Sequence, residues 1–257
     1  CTWTLTTITE HFNNRGRDIY GAACDMKKAF DMCDWGYLFN DLSEKGVSPI
    51  FLRLMIFMYQ EQRCDVRWNG NYSERFPVTT GIRQGSIISP LCFCIYVDGL
   101  IKLLRRLHIG CYIAGMFYGC LFYADDMFLL APTREGLQVM MNESEKYMTK
   151  RNLIFSTNPV PSKSKTKCII FSKKNRANTE VAPIMLRDKP LPYVDKLLHL
   201  GNWLQTDNSM SVDCSVKRAA FIGKVNSLCQ EFYFSTPDIM SRPVSYTHLT
   251  LPTILLV

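Results

Sequence analysis

Two adjacent carboxylates interrupt an otherwise apolar run, Gly119-Cys120-Leu121-Phe122-Tyr123-Ala124-Asp125-Asp126-Met127-Phe128-Leu129-Leu130. A buried carboxylate must be paired, hydrogen-bonded or bound to a metal, so this run cannot lie in a core without an outlet for both acids. The β-forming residues on either side favour two strands, with the acids at the tip of the hairpin between them. Such a tip presents the oxygen ligands that hard divalent cations take. Taken alone, an Asp pair more often ends a strand or caps a helix. The remainder of the chain has to choose between these.

Asp18 to Asp25 reads as a short buried strand ending in an acid. Helices are expected from Asp34 to Glu44, stopping at Gly46, and from Pro49 to about Gln62. Asn69-Gly70-Asn71 marks a hairpin between Cys64–Trp68 and Tyr72–Val78. A loop from Thr79 to Gly85 leads into a long apolar helix, Ser89 to Leu107, and the acid-tipped hairpin is expected over Cys111 to Ala131. Thr133 caps an amphipathic helix from Arg134 to Lys150, with Leu137, Met140, Met141, Ser144 and Met148 on one face. Ser156 to Lys167, rich in Pro, Ser and Lys, reads as a loop. Short strands follow around Cys168–Phe171, Ile184–Leu186 and Leu197–Leu204, then a helix from Val212 to Phe232. This succession predicts an α+β fold, an antiparallel sheet packed on helices.

Composition narrows the classes. A hydrophobic content of 47% over 257 residues fills a sizeable core, and no run approaches the 18 apolar residues of a membrane span. The net charge of +7 permits a polyanionic partner. Eleven cysteines, among them Cys24, Cys92, Cys94 and Cys168, sit mostly in apolar stretches without CxxC pairs. They read as reduced, buried thiols of an intracellular protein.

If the strand ending at Asp25 neighbours the hairpin, the carboxylates of Asp25, Asp125 and Asp126 converge. Shared carboxylates can hold two Mg²⁺ ions that clamp an in-line phosphoryl displacement. Two further strings accompany the acids: Asp25-Met26-Lys27-Lys28-Ala29-Phe30-Asp31, and Gly81-Ile82-Arg83-Gln84-Gly85-Ser86-Ile87-Ile88-Ser89-Pro90. With Tyr123-Ala124-Asp125-Asp126 they resemble, in order, motifs A, B and C of the reverse transcriptases. The D-x-x-K-A-F-D form of the first is similar to that of LINE-type, non-long-terminal-repeat retrotransposons. Asn152 to Thr157 followed by Lys163 to Cys168 resembles the family's motif D region, and His199-Leu200-Gly201 its motif E, the primer grip. The resemblance runs from about Asp18 to Trp203.

It implies an RNA-directed DNA polymerase with a right-hand palm, partial fingers and the start of a thumb. The implied partners are an RNA template, a DNA primer and deoxynucleoside triphosphates. Asp25 and Asp125 would be the principal ligands of two Mg²⁺ ions, with Asp126 assisting and Mn²⁺ as a substitute. Phe30 would lie under the incoming sugar and exclude a ribose 2′-OH, although by itself it is a core aromatic. Asp31 is expected to cap the following helix. Gln84 and Gly85 would pack near nucleotide and template, while Arg83 is equally a phosphate contact or an exposed side chain. Tyr123 would pack near the primer end. Lys165 would assist pyrophosphate departure, with Lys163 and Lys167 as rivals, and the basic run from Lys163 through Lys174 to Arg176 would track a nucleic-acid backbone. Leu200 and Gly201 would belong to the primer grip. An intracellular site, nuclear or in a cytoplasmic ribonucleoprotein, is implied for the intact element.

Two other readings compete: a viral-type RNA-dependent RNA polymerase palm, and a non-catalytic remnant that binds nucleic acid. The expected organisation is a fingers remnant and palm over 1–207, the start of a thumb over 208–242, and a tail over 243–257. That tail, beginning Pro243-Val244-Ser245-Tyr246-Thr247-His248, looks like a translated sequencing adaptor. The chain starts at Cys1 without an initiator Met, and only about two dozen residues precede Asp25 where the family has fingers strands. The expectation is a fragment with feeble or no polymerase activity alone.

Overall fold

The computed structural model describes residues 2–158, 164–173 and 181–231. The first element, α1 (Thr2–Asn13), has no counterpart in the sequence reading. Its β-branched threonines are poor helix formers. The helix is held by tertiary burial of Leu5, Ile8 and Phe12, and the hydroxyls of Thr6, Thr7 and Thr9 donate to carbonyls four residues back.

Strand β1 (Ile19–Cys24) leads to α2 (Trp35–Glu44) and α3 (Pro49–Gln60). The cap of α2 is a correction. Asp34, not Asp31, accepts from the backbone N–H groups of Gly36 at 2.8 Å and Tyr37 at 3.2 Å. Around Asn69-Gly70 the expected hairpin is built from β2 (Arg63–Cys64), β3 (Arg67–Trp68), β4 (Asn71–Tyr72) and β5 (Phe76–Pro77), with β2 paired to β5 and β3 to β4. Helix α4 (Ser89–Arg106) follows.

The stretch expected to be one hairpin divides into two. A small one joins β6 (Tyr112–Ile113) to β7 (Met116–Phe117), and the acid-tipped one joins β8 (Cys120–Tyr123) to β9 (Asp126–Ala131). Helix α5 (Arg134–Lys150) starts at Thr133, whose hydroxyl accepts from Gly136 N–H, and it buries the five residues assigned to its inner face. Next come β10 (Lys167–Phe171), β11 (Met185–Leu186), β12 (Lys189–Pro190), β13 (Lys196–His199) and β14 (Asn202–Gln205). These elements belong to a unit spanning Cys1–Met210; a second unit starts at Ser211, and its described part is α6 (Ser211–Glu231).

The principal sheet is antiparallel, in the order β10-β1-β9-β8. Successive side chains of a strand point to opposite faces, and here both faces are buried. On one, Ala22, Cys24, Met127, Leu129, Ala131 and Cys168 join residues of α2, α4 and α5, such as Leu38, Phe93 and Met140. On the other, Ile19, Phe128, Leu130, Ile169 and Phe171 meet Leu5, Ile8 and Phe12 of α1, with Leu197 and Leu204 of the β13–β14 hairpin. Gly21 makes room on this second face: a Cβ there would stand 2.8 Å from the Phe128 ring. Among the described residues no helix is long and apolar enough to cross a membrane. Cys24, Cys92 and Cys168 are buried free thiols, as expected, and burial pushes the Cys168 thiol up to about 12. Cys94 is exposed on the outer side of α4 because it is out of phase with buried Cys92 and Phe93, and Cys64, Cys214 and Cys229 are exposed as well.

Candidate active site

The period of two along each strand selects which acids meet. Phe128 and Leu130 lie on the α1 face, so Asp126, two residues before Phe128, points to that face as well. Ala23 packs against the same cluster, and Asp25 follows it by two. The pairing of Cys24 with Met127 sets Asp25 and Asp126 beside each other one step further along β1 and β9. Tyr123 pairs with Asp126, so Ala124 and Asp125 form a two-residue turn. Ala124 has φ 52°, a left-handed conformation that usually takes glycine and marks local strain at the tip.

Asp25 and Asp126 open onto one cleft of about 420 Å³, which Lys165, Lys167, Lys196, Leu198, His199 and Trp203 also line. Asp125 is half-buried in the turn and does not line the cleft, and Tyr123 at the hairpin's end is exposed. The Asp25 carboxylate is 3.6 Å from Lys165 Nζ. Because Lys165 is largely exposed, such a pair is worth less than about 1 kcal/mol, and the lysine can turn to another anion at little cost. The backbone beneath is better fixed. Ser156 N–H donates to the Asp25 carbonyl at 2.7 Å and Lys27 N–H to that of Ile154 at 2.9 Å, so the stretch after α5 runs alongside the Asp25 loop. Lys163, Lys174 and Arg176 lie outside the described residues.

Burial pushes the Asp126 carboxyl above its ordinary range, and the neighbouring Asp125 and Asp25 push it further, with Lys165 opposing them. A cation bound here would relieve that repulsion. Among the described residues no three His, Cys, Asp or Glu side chains are gathered closely enough to hold a metal by themselves. Mg²⁺ does not demand such a cage. It usually takes one or two carboxylates, with substrate phosphates and water completing its shell. Two half-buried carboxylates on the rim of an open cleft fit that mode.

The loop from Met26 to Asp34 is stitched to the loop before α4. Gly81 N–H donates to the Cys33 carbonyl at 2.8 Å, Ile82 N–H to that of Phe30 at 2.6 Å, and Trp35 Nε1 to that of Gly81 at 2.8 Å. Gly81, with φ +92°, is required by this approach, since a Cβ would lie 2.8 Å from the Asp31 carbonyl oxygen. Phe30 is half-buried and stacks on Phe93 with ring centroids 4.9 Å apart, so its ring is backed by the core. Gln84 is exposed and donates from Nε2 to Asp31 Oδ1 at 2.8 Å. Gly85, φ +83°, has open space around its Cα.

Leu200 and Gly201 are the turn of the β13–β14 hairpin, both at positive φ, 50° and 74°. The hairpin's strands reach the cleft through Lys196, Leu198, His199 and Trp203, while the turn residues do not line it. His199 packs edge-on against Phe128 at 5.1 Å, and burial lowers its pKa. Sequence reasoning missed Lys196 and Trp203. The alternation of exposed Lys196 and Leu198 with buried Leu197 and His199 marks an outer edge, but not what that edge faces.

Comparison with known proteins places these features in a family. Residues 2–181 match the family model described as reverse transcriptase (RNA-dependent DNA polymerase). The chain is 28% identical over 142 residues to a retrovirus-related Pol polyprotein from the type-2 retrotransposable element R2DM of Drosophila melanogaster, covering 55% of this chain and 13% of that protein. It is 26% identical over 172 residues to a Pol polyprotein from a type-1 retrotransposable element R2 of Nasonia vitripennis, covering 67% and 16%. The chain thus spans under a fifth of the length of these relatives. Among solved structures, apo telomerase from Candida tropicalis, truncated from its C-terminal domain, superposes with a TM-score of 0.54 at 15% identity, over 79% of this chain and 37% of that one. Telomerase from Candida albicans in complex with a telomeric RNA fragment gives 0.56 at 11%, over 82% and 34%. At these identities the likeness is one of fold, and it bears out the α+β palm.

Proposed function

Because this chain belongs to the reverse transcriptase (RNA-dependent DNA polymerase) family, we propose that it is the polymerase palm of a LINE-type retrotransposon protein, adding deoxynucleotides to a primer 3′-OH on an RNA template. The observation that carries the reading is the convergence of Asp25 and Asp126 on one sheet face, at the mouth of a cleft whose other wall is lysine-rich. Asp25 and Asp125 are the principal ligands expected from the resemblance; because Asp126 shares the cleft with Asp25, Asp25 and Asp126 would hold divalent cations here, with Asp125 contributing from the turn. Two Mg²⁺, when bound, would supply activation of the attacking oxygen and stabilisation of the leaving one.

The protein's own groups would do the rest. Lys165, loosely paired to Asp25, would move onto the departing phosphates and neutralise or protonate them. Lys167 and Lys196 would attract the nucleic-acid backbone to the same cleft. Phe30 cannot retreat from an incoming sugar because Phe93 stands behind it, which suits a steric filter against a 2′-OH.

Single-turnover addition to a DNA primer annealed to RNA, with protein in excess, tests this reading. Slow, Mg²⁺-dependent incorporation of deoxynucleotides that Asp25→Asn removes is the expected result. Preference for ribonucleotides, or incorporation that survives Asp25→Asn, would overturn it.

A further inference from the structure

The contact between Asp31 and Gln84 is one that the expected cap at Asp31 does not account for. We infer that Asp31 is a positioning residue for the nucleotide site: its carboxylate holds the Gln84 amide in one orientation, so that Oε1 is left available to a ligand as a hydrogen-bond acceptor. The inference rests on the reading of this site as a nucleotide site given above.

The backbone places both residues before their side chains meet. Asp31 lies in a tight turn in which its own N–H donates to the Lys28 carbonyl at 2.9 Å, with Lys28 at φ 47°. Its carbonyl oxygen accepts from Thr80 Oγ1 at 3.3 Å, and the glycine at position 81 lets the second loop pass directly over it. Two backbone hydrogen bonds, from Gly81 and Ile82, lock the loops in register. Gln84 Nε2 then reaches Asp31 Oδ1 at 2.8 Å. A carboxylate can only accept, so the amide cannot bind the other way round. Gln84 Oε1 is left with no hydrogen-bond donor among the described residues, on an exposed side chain. A hydroxyl or amino group of an incoming nucleotide is the chemistry it can take. Asp31 thereby links the loop carrying Phe30 to the loop carrying Gln84.

Exchanging donor and acceptor tests this. Gln84→Glu sets two carboxylates against each other, whereas Asp31→Asn with Gln84→Glu restores an N–H to oxygen bond and still leaves an oxygen pointing outward. In single-turnover incorporation on the full chain, Gln84→Glu is expected to raise the deoxynucleotide KM at least about tenfold with a smaller change in kcat, a coupling of ordinary size for contacting residues. The double variant is expected to recover most of that loss, with all three proteins showing the same thermal midpoint. A double variant no better than Gln84→Glu would overturn the inference. Side-chain ¹⁵N NMR of the unliganded parent gives a readout independent of turnover. Slow exchange of the Gln84 amide protons, accelerated by Asp31→Asn, is expected, and exchange at the free-amide rate in the parent would sink the idea. A parent whose amide is held but which incorporates nothing leaves the Asp31 tie standing and contradicts only the slow incorporation expected of this chain.

Discussion

Asp126 sits beside two other carboxylates in a half-buried position, and its proton is therefore held more tightly in the folded chain than in the unfolded one. The sign follows from linkage: a folded state that binds more protons than the unfolded state loses stability as pH rises. For Asp126 that loss sets in above its ordinary 3.8 and is complete above the raised value. In metal-free buffer, Asp126→Asn is expected to raise the thermal midpoint at neutral pH, with the gain fading toward pH 3 where the parent acid is protonated. A midpoint lowered by the same substitution at pH 7 would contradict this. Phe30 permits a second residue-scale prediction. Phe30→Val removes the ring but leaves Phe93, and should relax discrimination against ribonucleotides by roughly 10–100-fold, the scale on which a change of pocket bulk acts. Competition between deoxynucleotides and ribonucleotides in the primer-extension assay measures it.

At the scale of elements, the palm helices are tied by a largely but not fully buried ion pair that the motifs do not announce. Arg151, just after α5, makes a two-pronged pair with Asp41 of α2, and its guanidinium lies over the rings of Tyr37, Tyr96 and Tyr147. Both charges are about 14% exposed or less, so breaking the pair strands one of them. Arg151→Met is expected to cost about 3–5 kcal/mol in chemical denaturation, and adding Asp41→Leu should return much of it. An unchanged denaturation midpoint in Arg151→Met would show the pair to be dispensable. The same scale divides what could be read from the sequence. Turns and caps with local chemistry, such as Asn69-Gly70, Pro49 and Thr133, were legible residue by residue. Helix α1 was not, because its threonines disfavour a helix that only burial of Leu5, Ile8 and Phe12 sustains. The cap of α2 went to Asp34 and not Asp31 because the Asp31 backbone is already held by the loop before α4, a contact some fifty residues away in sequence.

For the whole molecule, sheet order is the decisive nonlocal fact. The sequence offers Asp25 and the Asp125–Asp126 pair a hundred residues apart, and only the antiparallel pairing of β1 with β9 puts two of the three on one face. Strand parity then separates Asp126, which faces the cleft, from Asp125, which lies in the turn. The cleft's far wall comes from the β13–β14 hairpin, whose place depends on packing against Phe128 and Phe171 rather than on any local signal. The proposed function has Asp25 and Asp126 holding a divalent cation between them, which iron-directed cleavage examines without relying on turnover. Fe²⁺ replaces Mg²⁺ in the complex with primer–template and a deoxynucleotide, and peroxide and ascorbate then cut the chain beside the bound ion. Cuts centred on the end of β1 and the β8–β9 turn, with weaker ones at the other segments lining the cleft, are expected, suppressed by excess Mg²⁺ and absent in Asp25→Asn. Cuts away from the cleft, or a pattern unchanged in Asp25→Asn, would contradict shared binding by Asp25 and Asp126.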